Sequence, residues 1–270
     1  MNIDHNIQFD DEKKLIHFLN IENLSAQHIF KILDLADKVE SKSLSGRTVA
    51  SLFFEPSTRT KTTFELASKR LGADFINIDI ANSSTSKGES ILDMIKTLEA
   101  MQCNMFIVRH STSGIPHYIA KEVGDRISVI NAGDGTNAHP TQAMLDMYTI
   151  KKYKGQFHNL SIAIVGDILH SRVAKSLIES LNILNVEKIN VIGPGNLMPK
   201  NIDKLNVTYF DNLEEGISNT DVIIMLRLQK ERMHEALIST DDYYKEFGLT
   251  ESKIKNAKKD VIVMHPGPIN

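Results

Sequence analysis

The sequence predicts an α/β protein of two domains, each with a largely parallel sheet flanked by helices. Short runs of β-branched and aromatic residues alternate with segments in which apolar residues recur every three or four positions. The alternation restarts after the polar stretch 151–155, and the 270 residues exceed the usual length of one domain. We therefore expect a first domain over residues 1–140 and a second over 141–270.

The first domain is expected to begin with an amphipathic helix over residues 24–39, for which Ser25 is a candidate cap. Strand-like and helical segments then follow one another, as parallel strands with helical crossovers require. The strands are expected near 48–54, 74–80, 104–109 and 127–131, and the helices near 62–71, 88–101 and 115–123.

The second domain repeats this pattern. A long amphipathic helix over about 140–152 leads into it, and the domain boundary is expected in or near that helix. Strands are expected near 161–165, 187–192, 206–210, 221–226 and 260–264.

The charge and the apolar pattern limit the partners of the protein. The formal net charge of −3 disfavours broad attraction to nucleic acid or to an anionic membrane. Residues 1–11 are polar and acidic, and no run approaches the roughly 18 apolar residues of a membrane span. We expect a small ligand, with neither nucleic acid nor a membrane as a partner.

Cysteine and histidine usage favours a cytoplasmic protein without metal or cofactor. The single cysteine, Cys103, excludes an internal disulfide framework, and its apolar neighbours indicate a buried structural thiol. His17, His28, His158 and His170 share no metal-ligand spacing. The chain has neither a complete dinucleotide-binding glycine pattern nor a Walker A sequence.

Polar residues follow the predicted strands at their carboxyl ends, which is where open parallel sheets bind ligands. In the first domain these segments are 57–61, 82–89, 109–112 and 131–142. In the second domain they are 166–172, 227–229 and 265–268. This regularity predicts an anion-binding site.

The run Pro56-Ser57-Thr58-Arg59-Thr60-Lys61 is the best candidate for a phosphate site. It lies between a predicted strand and a predicted helix, and unpaired N–H groups at a helix start bind anions. Hydroxyl donors and a planar guanidinium add to this. The alternative is that Ser57 or Thr58 only caps the helix.

Two further candidates also have structural alternatives. Lys87 ends a serine-rich stretch that could close over a ligand, or could be a solvated loop. His139 precedes Pro140, which suits a first helical turn and brings His139 and Gln142 to the same helix entrance. His139 could donate to a carbonyl oxygen or be a structural hydrogen-bonding residue.

Several short motifs are spread over nearly the whole chain. They are Ser57-Thr58-Arg59-Thr60, Lys87-Gly88-Glu89, Arg109-His110, His139-Pro140-Thr141-Gln142, Arg172, Arg227-Leu228-Gln229 and His265-Pro266-Gly267-Pro268. In order and spacing they resemble the aspartate carbamoyltransferases of the aspartate/ornithine transcarbamoylase family. The Arg-x-Gln pair resembles the aspartate-using branch, and the His-Cys-Leu-Pro motif of ornithine-using relatives is replaced by His265-Pro266-Gly267-Pro268.

The resemblance implies a role for each motif. Residues 1–140 would bind carbamoyl phosphate and residues 141–270 would bind L-aspartate. The implied carbamoyl-phosphate ligands are Ser57, Thr58, Arg59, Thr60, Arg109, His139, Gln142 and Pro266, and the implied aspartate ligands are Lys87, Arg172, Arg227 and Gln229. The implied catalytic residues are Arg59, Thr60, Lys87, Arg109 and His139.

The resemblance also implies a reaction and an assembly. The carbamoyl group would pass directly to the aspartate amine through a tetrahedral intermediate, in the second step of de novo pyrimidine biosynthesis. Ser83 and Lys87 would reach into the site of a neighbouring subunit, which implies a homotrimer. A regulatory chain does not follow from the resemblance.

Two alternatives and one departure remain open. The acceptor could be another amine such as ornithine, or the chain could bind phosphate or amino acids without catalysis. The chain ends at Ile269-Asn270, whereas relatives continue into a further helix. We expect the form without that helix to be less stable and less active.

Overall fold

The protein consists of two compact units, each built on one parallel sheet. The computed structural model describes residues 5–38, 43–80, 88–229 and 239–269. The first unit comprises Met1–Asn23 and Gln27–Thr141, and the second comprises Leu24–Ala26 and Gln142–Asn270. All strand pairs within the two sheets are parallel, so the predicted fold class is confirmed.

The sheet of the first unit has the strand order β2-β1-β3-β4. Its strands are β1 (Thr48–Phe53), β2 (Asp74–Ile78), β3 (Met105–His110) and β4 (Ser128–Asp134). The helices are α1 (Ala26–Ala36), α2 (Thr58–Arg70), α3 (Ile91–Ala100) and α4 (Ile115–Val123).

Both faces of this sheet are covered at the central strands β1 and β3, which explains why these two strands read as nearly continuous apolar runs. Side chains alternate between the faces along a strand. Leu52 and Phe106 therefore pack in one cluster with apolar residues of α3 and α4. Val49 and Ile107 pack in the other with Phe64 of α2.

The second unit carries a sheet in the order β7-β6-β5-β8-β9. The strands are β5 (Ser161–Val165), β6 (Lys188–Ile192), β7 (Thr208–Phe210), β8 (Val222–Met225) and β9 (Ile262–Met264). The helices are α5 (Pro140–Lys154), α6 (Arg172–Ile183), α7 (Leu213–Gly216) and α8 (Thr240–Phe247). Side chains of α7 and α8 pack on one face of this sheet, with Leu213 and Phe247 among the buried residues.

Two element boundaries differ from the sequence expectation in ways that concern the candidate site. Helix α2 begins at Thr58 instead of near residue 62, because the chain is extended only as far as Ser57 (φ −162°, ψ 99°). Strand β4 continues past residue 131 to Asp134, which pairs with His110 of β3. The polar residues that the sequence assigned to loops therefore lie partly within regular structure.

Candidate functional site

The carboxyl ends of β1, β3 and β4 lie side by side in the first unit. Phe53 of β1 is paired with Arg109 of β3, and His110 of β3 is paired with Asp134 of β4. Consequently the predicted segments 57–61, 109–112 and 131–142 all lie at the same edge of one sheet. Ser83 and Lys87 lie outside the described residues, so their predicted roles stay predictions.

The Ser-Thr-Arg-Thr run forms the start of α2. Ser57 occupies the N-cap position, but its side chain makes no capping hydrogen bond. Thr58 and Arg59 are exposed, whereas Ser57 and Thr60 are half-buried. The first turn thus combines exposed donors with the partial positive charge of a helix start, which suits a phosphate group.

Arg109 is held in a fixed direction at the sheet edge. Its side chain is 14% exposed, and Nε lies 2.7 Å from Oε1 of Glu55. Nη1 donates to the carbonyl oxygen of Ala132 at 3.2 Å. The guanidinium is therefore tied to the segment after β1 and to β4, and an arriving dianion would compete with Glu55 for it.

Glu55 was not singled out by sequence reasoning. It stands between the end of β1 and the start of α2, directly before the basic run. An acidic residue beside cations is the one local signal that could have identified it.

Asp134 organises the loop that leads to His139. Its carboxylate is fully buried and accepts hydrogen bonds from the Gly114 N–H at 2.7 Å and from Nδ2 of Asn137 at 2.9 Å. The Asp134 N–H also donates to the carbonyl of Ala138 at 3.0 Å. Sequence reasoning missed this role, because the bond to Gly114 joins residues twenty positions apart.

His139 and Gln142 lie at the entrance of α5. His139 is 7% exposed, and its Nδ1 lies 3.4 Å from the Thr141 hydroxyl. The Gln142 amide donates from Nε2 to Oδ1 of Asp146 at 3.0 Å. Both predicted residues are thus held by neighbours on the same helix or directly before it.

His110 is a structural residue of this edge. Its Nδ1 accepts the Thr112 N–H at 2.8 Å, and its ring lies 4.9 Å from that of Phe54. Burial lowers the pKa of His110, although the nearby carboxylates of Glu55 and Asp134 act in the opposite direction.

Asp167 connects two predicted segments in the second unit. It follows β5, is fully buried, and accepts hydrogen bonds from the His170 N–H at 3.1 Å and from the Gln229 N–H at 3.2 Å. His170 Nδ1 also lies 2.9 Å from Oδ1 of Asp167. Because β5 and β8 are neighbours, this carboxylate joins the segments after both strands.

The residues predicted to bind carboxylates in the second unit lie close in sequence to the two segments that Asp167 joins. Arg172 is the first residue of α6 and is 4% exposed, and Ser171 caps the helix by accepting the Ala174 N–H at 3.1 Å. A buried guanidinium interacts with an anion more strongly than a solvated one.

Arg227 and Gln229 flank the buried Leu228, which packs in the core of the unit. Leu226 and Leu228 are buried, whereas Arg227 and Gln229 are half-buried and so lie less deep than the core that holds Leu228. Arg227 Nη1 donates to the Leu228 carbonyl at 3.1 Å. The Arg-x-Gln spacing thus has a structural basis.

Pro266 follows β9, the neighbour of β8. Next to it, His265 Nδ1 accepts the Gly267 N–H at 2.7 Å, which closes a tight turn around Pro266. The turn orients the peptide groups on both sides of the proline.

The structure describes residues 5–38, 43–80, 88–229 and 239–269, and two absences hold for these ranges. Within them no group of three or more His, Cys, Asp or Glu side chains is arranged to hold a metal ion. None of the helices in the same ranges has the length and apolar character needed to cross a membrane.

Both halves of the chain match the domain models of one protein family. Residues 16–152 match "Aspartate/ornithine carbamoyltransferase, carbamoyl-P binding domain". Residues 158–270 match "Aspartate/ornithine carbamoyltransferase, Asp/Orn binding domain".

The chain is also similar to solved structures of aspartate transcarbamoylase from Trypanosoma cruzi. The structure with carbamoyl aspartate and phosphate is 29% identical over 94% of this chain and 85% of that one, with a TM-score of 0.84. The complex with N-(phosphonacetyl)-L-aspartic acid is 31% identical over the same shares, with a TM-score of 0.83. The complex with carbamoyl phosphate and aspartate is 30% identical over 94% and 86%, with a TM-score of 0.79.

Proposed function

The chain belongs to the aspartate/ornithine carbamoyltransferase family, and we propose that it transfers the carbamoyl group of carbamoyl phosphate to the amine of L-aspartate. The products are N-carbamoyl-L-aspartate and phosphate. The predicted enzyme class, an aspartate carbamoyltransferase, is confirmed by these comparisons. The observation that carries the choice of acceptor is the 30% identity to a relative solved with carbamoyl phosphate and aspartate.

The start of α2 supports the proposed binding of the phosphate group. Ser57, Thr58, Arg59 and Thr60 supply backbone and side-chain donors at one helix start, and Arg109 would add a second guanidinium. Arg109 would exchange its ion pair with Glu55, at 2.7 Å, for the phosphate dianion. These cations would also stabilise the phosphate as it leaves.

The carbonyl of the carbamoyl group would be polarised by donors from the same set. Thr60, Arg109 and His139 would stabilise the negative charge that develops on oxygen in the tetrahedral intermediate. Gln142 and the Pro266 carbonyl would orient the carbamoyl amide. No enzyme nucleophile is needed, because carbamoyl phosphate is already activated and the attacking amine belongs to the second substrate.

L-Aspartate would be bound through its two carboxylates. Arg172 and Arg227 would pair with them, and Gln229 would assist. Asp167 supports this proposal, since its bond to the Gln229 N–H at 3.2 Å fixes the segment that carries Arg227 and Gln229. Much of the catalysis would be positioning of the amine against the carbonyl.

The assembly and the pathway complete the proposal. We propose a homotrimer in which Ser83 and Lys87 of one subunit act in the site of the next, with Lys87 contacting both substrates. The reaction would be the second step of de novo pyrimidine biosynthesis, carried out in the cytoplasm. Whether a separate regulatory chain binds is left open by this proposal.

A direct assay tests the reaction. The purified chain, mixed with carbamoyl phosphate and L-aspartate, should form carbamoylaspartate and phosphate in equal amounts. Each acceptor amine gives its own carbamoylated product. A panel of acceptors that includes ornithine therefore identifies the amine that the protein uses. Phosphate release without a carbamoylated amine would count against the proposal.

Substitutions test the assigned residues. Arg59→Ala and His139→Ala should each lower kcat by about a hundredfold or more, because each removes a donor to a developing charge. Arg70→Ala is the matched control, since Arg70 lies exposed at the other end of α2. Circular dichroism should show that the variants stay folded, and unchanged turnover in Arg59→Ala would refute its role.

A further inference from the structure

We propose that Asp146 is a positioning residue that holds the Gln142 amide so that its oxygen accepts a hydrogen bond from the amino group of the carbamoyl moiety. This inference rests on the proposed function and adds to it the origin of specificity for a carbamoyl group. Asp146 itself would not touch the substrate.

Helix α5 places Gln142 and Asp146 in direct contact. Gln142 and Asp146 are four residues apart, which places them on one face of the helix. Gln142 Nε2 donates to Asp146 Oδ1 at 3.0 Å. A carboxyl oxygen at that position selects the nitrogen end of the amide, so Oε1 of Gln142 is directed away from Asp146.

The carbamoyl group requires a hydrogen-bond acceptor at its amino end. The amino group of a carbamoyl moiety has hydrogen atoms to donate, so it needs acceptors, whereas its carbonyl oxygen needs donors. Gln142 can serve as either acceptor or donor because its amide can rotate. Only the orientation seen here, with Nε2 committed to Asp146, presents an acceptor.

The burial of Asp146 distinguishes this pair from an ordinary surface pair on a helix. Asp146 is 5% exposed, and its Oδ2 has no hydrogen-bond partner among the described residues. Burying a carboxyl group with one unpaired oxygen costs free energy, so a stabilising role alone would favour an apolar residue at this position.

The protonation of Asp146 does not remove the constraint on Gln142. Burial raises the pKa of Asp146 to about 7, and the hydrogen bond from Gln142 opposes that rise. When a proton resides on Oδ2, Oδ1 still has a lone pair that accepts from Nε2. The amide orientation is therefore available in both forms.

The test compares two ligands that differ only at the amino group. Acetyl phosphate carries a methyl group where carbamoyl phosphate carries NH2, so it cannot use the proposed acceptor. In Asp146→Leu we expect the KM for carbamoyl phosphate to rise about tenfold, the upper end of what one hydrogen bond between neutral groups contributes. The inhibition constant of acetyl phosphate, measured in competition with carbamoyl phosphate, should stay within about twofold.

Conservative and alternative variants complete the experiment. Asp146→Asn keeps an acceptor oxygen of the same reach and should hold the KM for carbamoyl phosphate within about threefold of the unsubstituted chain. Asp146→Ser, too short to reach Gln142 and unable to overfill the site, replaces Asp146→Leu if that variant does not fold. In a Gln142→Met background, replacing Asp146 should cause no further loss, because Asp146 acts through Gln142.

The outcomes separate this inference from the function on which it rests. Equal weakening of both ligands, or no change in either, would overturn the role of Asp146 in an otherwise active enzyme. An unsubstituted chain that forms no carbamoylaspartate would overturn the proposed function, and this inference with it.

Discussion

At the scale of single residues, buried carboxylates organise the segments that hold the proposed ligands. Asp134 in the first unit and Asp167 in the second are both fully buried, and each accepts backbone N–H bonds. A carboxylate that bonds several N–H groups orders a loop that has no regular hydrogen bonds of its own. These two residues thus position the loops that carry proposed ligand-binding residues, without a proposed contact to substrate of their own.

Gly135 tests how tightly the loop after Asp134 is packed. Its φ is +49°, and a Cβ atom there would overlap Oγ of Ser113 and lie 2.7 Å from N of the same residue. We expect Gly135→Ala to lower the free energy of unfolding by about 2 to 4 kcal/mol, since unfavourable backbone conformation and overpacking add. Urea unfolding measures this change.

Gly155→Ala is the matched control for Gly135→Ala. Gly155 also has a positive φ, +78°, but a Cβ atom would meet nothing within 4 Å. The control should cost only about 1 kcal/mol, the conformational part. Equal losses in the two variants would show that the contact with Ser113 has no energetic weight.

His17 predicts a pH dependence of stability. It is 1% exposed and accepts the Val129 N–H at Nδ1 at 3.1 Å. Burial lowers its pKa from 6.5 to about 4, against the Gly124 carbonyl and Asp125, which raise it. Between these two pH values the unfolded chain binds a proton that the folded chain does not, so stability falls as the pH falls from 6.5 to 4.

The matching experiment measures unfolding free energy against pH. From pH 6.5 to 4 the unsubstituted chain should lose on the order of 3 kcal/mol more than His17→Gln, which keeps an acceptor for Val129 but cannot be protonated. His158→Gln, at an exposed histidine, should follow the unsubstituted chain. Parallel curves for all three proteins would contradict the assignment to His17.

At the scale of elements, Asp221 ties three strands of the second sheet together at their starts. It precedes β8 and is 6% exposed, and its Oδ2 accepts the N–H of Ser161, the first residue of β5, at 2.9 Å. Lys258, shortly before β9, donates to both carboxylate oxygens at 2.9 Å. One side chain therefore links the starts of β5, β8 and β9.

Replacing Asp221 should destabilise the second unit. Asp221→Ala leaves the Ser161 N–H and the Lys258 ammonium without their acceptor, so we expect a loss of about 2 to 3 kcal/mol in the free energy of unfolding. Glu65→Ala removes an exposed ion pair with Lys69 and should change stability by only about 0.5 kcal/mol. Chemical denaturation of the unsubstituted chain and the two variants measures these free energies of unfolding. A loss in Asp221→Ala as small as in Glu65→Ala would contradict the prediction.

At the scale of the whole molecule, the proposed homotrimer makes a prediction about mixtures. If each site uses Arg59 of one subunit and Lys87 of the next, Arg59→Ala and Lys87→Ala trimers are both inactive. After the two are dissociated, mixed and reassembled, about a quarter of the sites should combine two intact halves. Turnover measured before and after mixing tests this, and no gain beyond the parent proteins would refute shared sites.

Much of the architecture could be predicted because each strand of both sheets carries its own pattern. In β5, for example, every residue after Ser161 is apolar and buried, since both faces of the parallel sheet are covered there. The start of α2 could not be placed, because Thr58, Arg59 and Thr60 are polar and have no apolar periodicity. Their helical conformation depends on where β1 ends and on the packing of Phe64 against the sheet.

The candidate ligands could be predicted in part for the same reason. Arg109 lies at the end of β3, His139 directly precedes α5 and Arg172 begins α6, and position along the chain was enough to single them out. Glu55 and Asp134 escaped notice, because an isolated acidic residue has no pattern. Their importance rests on contacts with Arg109 and Gly114, which are distant in sequence.

The sequence alone determined the fold class and the order of the elements, and it predicted the Ser-Thr-Arg-Thr run as a site for an anion, because periodicity and helix-start chemistry are local properties. The tertiary structure decided the partners of these residues: Arg109 against Glu55, Gln229 against Asp167, and the Asp134 loop against Gly114. Those contacts form only when parallel strands bring their carboxyl ends to one edge, which joins residues that no local pattern connects.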